Sequence, residues 1–276
     1  MSDSEVSQTA TKLKVFALVA DSYRAVFGNL GTMTRILWLP MVILVVIEFR
    51  FAVQKGPAAS QGLAGSAFDP IYFVYIVVSW IVICGAYVSL HRFFLLGDKP
   101  SALGLAFQRR ELRYLGYCLA IAPVVILPVG GLWLLESVEV VPLLLSAALT
   151  FAAIGFMVIW LIRLGFALPA IALDQEGGLR RRFKHALALV NGNTWRAFLA
   201  LFLASLPFVV ILDMVPYVFS LTGSELIITD TPVFVMQAVT VIGNVLDVYS
   251  HAVMIAIYSF AYRTLELGKA KQQVKS

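Results

Sequence analysis

IYFVYIVVSWIVICGAYVSLHR, residues 71–92, decides the fold. From Ile71 to Leu90 the stretch carries no charged side chain, and it closes on His91 and Arg92. A helix needs roughly 20 mostly apolar residues to cross about 30 Å of hydrocarbon, so this run reads as a transmembrane helix with a basic end at one headgroup layer. Five further runs read the same way: 36–53, 114–135, 141–162, 195–221 and 233–262. Prolines inside them are tolerable, because packed neighbours and hydroxyls satisfy the carbonyls that proline leaves free.

The rest of the chain agrees. Of 276 residues, 60% are hydrophobic and 13% charged, with a mean hydropathy of +0.88; soluble domains have about 45–50% and 25%. Those proportions exclude a soluble enzyme, a disordered chain and a disulfide-stapled secreted domain. Cys84 and Cys118 lie singly in apolar runs and read as buried thiols, not as zinc or redox ligands. The net charge of +5 is not a nucleic-acid footprint, since the cations punctuate apolar runs instead of gathering on a water-exposed face.

Nineteen of the 21 Lys and Arg fall on one side of the six runs; Arg50 and Lys55 alone fall on the other, where Glu136, Glu139, Glu225 and Asp230 also lie. The asymmetry places both termini in the cytoplasm. The N-terminus lacks the basic start of a signal peptide, so no cleavage is expected. Residues 1–276 are expected to form a single integral membrane domain, an all-α membrane protein.

Three segments beside the basic loops have helical periodicity, at 14–30, 101–112 and 178–191. In the first, Val15, Val19, Tyr23, Val26 and Leu30 form an apolar stripe; in the third, Leu179, Phe183, Leu187 and Val190 do. Ser101 is the expected N-cap of the second. They read as amphipathic helices on the inner leaflet, apolar face in the acyl boundary and basic face near anionic headgroups. Six transmembrane helices then form three hairpins, each preceded by one cytoplasmic interfacial helix. Pro40, Pro123 and Pro207 recur at intervals of 83 and 84 residues, which fits three parallel repeats and equally any six-helix protein with cytoplasmic linkers.

Among side chains that bear on function, Gln237, Thr240, Asn244, Asp247 and His251 step by three and four along one face of the sixth run. An ionisable residue at span depth faces the bundle interior or a wet cavity. The seam therefore lines a polar pathway or forms an interhelical hydrogen-bond ladder. Asp213 lies between Pro207 and Pro216 in the fifth run, as a structural hydrogen-bonding group. Arg163 ends the fourth span, with a short apolar segment folding into the interface after it; it reaches phosphate or pairs with Asp247. Arg180, Arg181, Arg182 and Lys184 are the expected contacts with anionic lipid. His91 and His185 read as interfacial. No phosphate-binding glycine loop, HExxH, GxSxG or acidic cluster with metal spacing occurs, so neither an enzyme, a cofactor nor a metal is expected.

RLGFALPAIAL (163–173), an acidic-glycine break, a helix ending in LVNGNTWR (189–196) and LFLASLP (201–207) resemble uncharacterised bacterial polytopic inner-membrane families. These are similar to the membrane-anchor domain of some glycerophosphodiester phosphodiesterases and to YciC-like proteins. Arg163 and Pro169 match the residues flanking the aliphatic run, and Gly192, Asn193, Trp195 and Arg196 match the turn. This chain lacks the phosphodiesterase domain, so that activity does not carry over. The resemblance implies a bacterial inner membrane and a non-catalytic, lipid-related module. Two functions are expected from these features: a non-enzymatic protein that organises or assists membrane components, with lipids and other membrane proteins as partners, or a small transporter or permease using the sixth-span seam.

Overall fold

A computed structural model describes residues 11–55, 70–99, 108–137, 142–174, 178–214 and 233–273. All regular structure among them is helical: α1 (Val15–Phe27), α2 (Leu30–Lys55), α3 (Pro70–Leu96), α4 (Arg109–Ile121), α5 (Pro123–Ser137), α6 (Leu143–Gly165), α7 (Ala167–Ala172), α8 (Leu179–Val190), α9 (Thr194–Val209) and α10 (Val233–Gln273). Six stretches are long and apolar enough to cross a membrane: Leu30–Ile47, Val74–Leu96, Arg109–Leu132, Leu144–Ala172, Thr194–Leu212 and Val241–Ala270. By length and composition this is a multi-pass membrane protein.

The boundaries differ from the sequence reading in instructive ways. The third run is two helices, α4 and α5, meeting at Ala122 immediately before Pro123, where a proline favours a helix start. The described residues show a short helix at Arg109–Ile121, which overlaps the end of the expected 101–112; residues 101–107, Ser101 among them, lie outside the described residues. Gln108 N–H donates to Glu111 Oε2 at 2.8 Å, tying down the start of α4. The fourth run breaks at Phe166, leaving α7 as a separate helix. After Pro207 the fifth run passes into a π-helical turn, Val210–Met214, the re-accommodation expected where proline removes a backbone donor. The sixth helix outruns its apolar stretch to reach Gln273, because LELGKAKQQ is composed mostly of good helix formers.

Three short helices of 13, 13 and 12 residues (α1, α4, α8) each precede an apolar helix after a break of one to three residues. The faces of α1 and α8 buried in the protein share only Val26 and Val190 with the stripes read from sequence. In α1 the buried positions are Leu18, Ser22 and Val26, while Leu30 is exposed and opens α2; in α8 they are Arg182, Ala186, Leu189 and Val190. Small residues (Ser22, Ala186) sit inward because they permit close helix approach, a preference that a hydrophobicity count does not capture.

The chain divides into two compact units. One contains 1–20, 108–201 and 257–276. Within it α5 packs on α6, α4 and α8 pack on α7, and α8 also packs on α6. Its core gathers toward the basic ends of the helices: Tyr114, Tyr117, Ile121, Leu164, Phe166, Ile171, Val190, Ala197 and Ile257 are buried, whereas Leu127, Leu144 and Phe151 toward the other ends are exposed. α7 was expected at the lipid interface; instead Ala167, Pro169, Ala170, Ile171 and Ala172 are buried in this unit. The other unit contains 21–107 and 202–256, where α2 packs on α3, and where Met33, Ile36, Leu37, Val82, Ala86, Val88 and Leu90 are buried.

One close approach in the first unit yields a test. Phe166 meets Tyr258 edge-on at 5.5 Å, and a Cβ added at Gly165 would lie 2.7 Å from the Tyr258 ring. Gly165→Ala should cost about 1–3 kcal/mol through overpacking and lower the melting temperature in detergent. Gly155→Ala, with no atom within 4 Å of the new Cβ, should be neutral or slightly stabilising.

Candidate functional site

In the second unit the described part of the α10 seam consists of Asn244, Asp247 and His251; Gln237 and Thr240 lie on the helix, but their side chains are outside the described residues. The i to i+4 spacing brings His251 Nδ1 to 2.9 Å from the Asp247 carbonyl oxygen and 3.5 Å from its carboxylate. Accepting from the ring at that carbonyl requires the proton on Nδ1. The imidazole stacks on Tyr87 of α3 at 6.0 Å. Both side chains stay open, Asp247 at 50% and His251 at 44%. Asp213 lies in the π-helical turn, and its side chain is outside the described residues.

Neighbours place this pair within the unit. Tyr249 hydroxyl, two residues from each member of the pair, is 2.8 Å from Thr34 Oγ1 near the start of α2. Tyr87 lies one turn before His91 and Arg92 in the C-terminal half of α3. The pair thus lies beside α3 and close in sequence to the contact with α2. An aromatic run extends from Tyr249 through Phe27 (6.1 Å) and Tyr23 (5.7 Å) to Phe208 (6.2 Å). Tyr23 hydroxyl donates to the Ala204 carbonyl at 2.7 Å, and burial pushes the phenol's pKa up. His91, expected at the interface, is fully buried.

In the first unit the polar side chains join helices. Tyr117 hydroxyl donates to the Leu164 carbonyl at 2.9 Å, and its ring packs on Phe183 at 4.9 Å. Arg113 pairs with Asp174, a residue held at φ 54, and His185 bonds the Glu266 carboxylate. Arg163 sits with its guanidinium carbon 5.8 Å from the Trp160 ring centroid, and its buried Nε has no hydrogen-bond partner among the described residues. Of the four cations expected at lipid headgroups, Arg180, Arg181 and Lys184 are exposed, but Arg182 is turned inward at 9%.

The 191–193 turn holds the N-terminal segment. Gly192 takes φ +77, a conformation that glycine adopts without strain, and delivers Asn193 inward at 2% exposure. Asn193 Oδ1 accepts from Leu13 N–H at 3.0 Å while its Nδ2 donates to the Thr11 carbonyl at 2.9 Å. Gly268 closes the other side: a Cβ there would lie 2.7 Å from Thr11 Cβ. The turn was legible in sequence as Gly-Asn before Trp-Arg; its partner was not, because nothing local marks residues some 180 positions away. Tyr23, Tyr117 and Glu111 were likewise missed, their only signal being a hydroxyl or carboxylate in apolar surroundings.

Comparison with protein-family models, curated proteins and solved structures finds no match to this chain. Among the described residues no group of three His, Cys, Asp or Glu is placed to hold a metal ion.

Removing the Asn193 clamp has a graded outcome. Asn193→Ala leaves two backbone groups without their partner, each worth about 1–3 kcal/mol when buried. Asn193→Asp keeps the acceptor for Leu13 but sets a carboxylate against the Thr11 carbonyl. Thermal melts should fall for both, and limited proteolysis should cut before α1 in the variants at protease levels that leave the parent whole.

Proposed function

We propose that this is a non-enzymatic protein of the bacterial inner membrane, both termini cytoplasmic, that organises or assists other membrane components through its basic side. The observation that carries the reading is the division of labour on α8: Arg182 is buried, whereas Arg180, Arg181 and Lys184 stand exposed on a 12-residue helix. A surface of three unburied cations beside apolar helices suits anionic headgroups of the inner leaflet, each cation contributing about 1 kcal/mol there. The short helices α1, α4 and α8 act as interfacial amphipathic elements, and the three helix pairs as hairpins. Tyr117, Arg113, His185 and Asn193 are engaged in holding helices and turns together, which favours a binding role over chemistry. The segment 163–207, with its likeness to membrane-anchor and YciC-like families, supports a lipid-related module.

A second reading follows from Asp247 and His251, half-open on a helix of spanning length. A charge facing hydrocarbon is costly, so this pair suits a wet pathway for a polar solute, as in a small transporter.

Two experiments separate these. Arg180→Gln, Arg181→Gln and Lys184→Gln together should leave the melting temperature unchanged but reduce the anionic lipids and protein partners that co-purify in mild detergent, whereas Arg182→Gln should lower stability. Unchanged co-purification by the triple variant contradicts the leading reading. Asp247→Asn should be silent in a complementation assay of the deleted host if that reading holds; loss of function with unchanged stability supports the transporter.

A further inference from the structure

Asn193 does more than hold a chain end. Leu13 is buried, whereas Lys12 and Lys14 on either side of it are exposed. The clamp ties Leu13 and Thr11 inward and leaves both ammonium groups outside. Two residues beyond Leu13, α1 opens and carries Phe16 at 78% exposure; two residues beyond Asn193, Trp195 stands at 72% on the first turn of α9, stacked on Phe198 at 4.8 Å and 11°. Arg196 follows. The two hydrogen bonds of Asn193 thus unite two stretches, Lys-Leu-Lys-Val-Phe and Asn-Thr-Trp-Arg, that are about 180 residues apart in sequence. Each of the two joined stretches carries an exposed large aromatic with cations within two residues of it in sequence. Water disfavours such aromatics, but the headgroup layer accepts their apolar body and polar rim, and the start of a span is where Trp is enriched.

We propose that Lys12, Lys14, Phe16, Trp195 and Arg196 form a docking site for an anionic phospholipid, the cations meeting the headgroup phosphate and the two aromatics lying along its glycerol and upper acyl chains. Charge complementarity and the aromatic rim select a lipid over a soluble anion: phosphate alone would leave Phe16 and Trp195 in water. The proposal deepens the function above by naming a lipid class at a site separate from α8, and it rests on the premise that this end of the unit lies at a headgroup layer.

The full chain, with Trp38, Trp80, Trp133 and Trp160 changed to Phe, leaves Trp195 as sole reporter. It is reconstituted with phosphatidylcholine and phosphatidylglycerol, and chain-brominated forms of one or the other act as quenchers. Brominated phosphatidylglycerol should quench Trp195 more than brominated phosphatidylcholine at equal mole fraction, with a relative affinity of roughly five-fold for each lysine engaged. Lys12→Gln with Lys14→Gln should sharply reduce that preference, leaving the share owed to Arg196, while quenching by both lipids persists. Equal quenching by the two lipids in the parent overturns the anionic site but leaves the membrane-facing premise intact. Absence of quenching by either overturns that premise as well. A preference undiminished by the double lysine change, or one abolished by millimolar inorganic phosphate, also overturns the assignment. Native mass spectrometry on the unaltered tryptophan background gives a second readout: the Lys12→Gln, Lys14→Gln variant should retain less phosphatidylglycerol than the parent, and unchanged retention contradicts the proposal.

Discussion

Hydrocarbon excludes charge, and everything else in this protein is arranged around that exclusion. Insertion scales put Arg or Lys at the centre of a spanning helix at about 3 kcal/mol each, so six crossings leave their cations only at the ends. Read as six crossings, the sequence sets 19 of the 21 in alternate linkers and the termini. The buried residues follow them. In the unit containing α4 to α8, the core lies around Tyr117, Phe166, Ile171 and Val190, while the far ends of α5 and α6 present Leu127, Leu144 and Phe151 outward. Apolar side chains facing lipid gain nothing from further burial, since lipid tails are as apolar as Leu; polar joints on the basic side supply the specific packing.

That explains what the polar residues are for. Tyr117 ties α4 to the end of α6, Arg113 ties α4 to the turn after α7, His185 ties α8 to α10, and Asn193 ties the N-terminal segment to the start of α9. Each is a side chain whose partner is a backbone group or an opposite charge, so each fixes position as well as adding energy. The motif around 163–207, read as a likeness to anchor modules, is accounted for in the same terms: Gly165 admits Tyr258, Pro169 is buried in α7, and Gly192 turns the chain so that Asn193 can reach Thr11 and Leu13.

Helix existence was legible because apolar runs of spanning length are the strongest pattern a sequence carries. The six stretches at 36–53, 71–90, 114–135, 141–162, 195–221 and 233–262 each overlap an observed helix, and the short helices before the first and fifth appear within a residue or so of 14–30 and 178–191, apart from the Leu30 end. Helix ends were less legible. A hydropathy boundary is not a helix boundary, which is why α10 overran and α4 was absorbed into a span. Orientation was least legible. Arg182 was expected at headgroups and is buried, because packing rewards small residues at close contacts and tolerates an arginine whose stem is apolar. The Asp247–His251 pair was found by spacing, but the contact of His251 with Tyr87, and that of the adjacent Tyr249 with Thr34, follow from no local pattern.

The claim on which all of this turns is that the basic linkers share one side of the membrane, the cytoplasmic one. Single cysteines at Ser60, Glu136, Ser224, Ser101 and Glu176, in a background without Cys84 and Cys118, measure it in intact cells with an impermeant thiol reagent. The account predicts labelling from outside at Ser60, Glu136 and Ser224, and labelling at Ser101 and Glu176 only after the membrane is opened. Outside labelling of Ser101 or Glu176 in sealed cells, or protection of any of the other three, would contradict it.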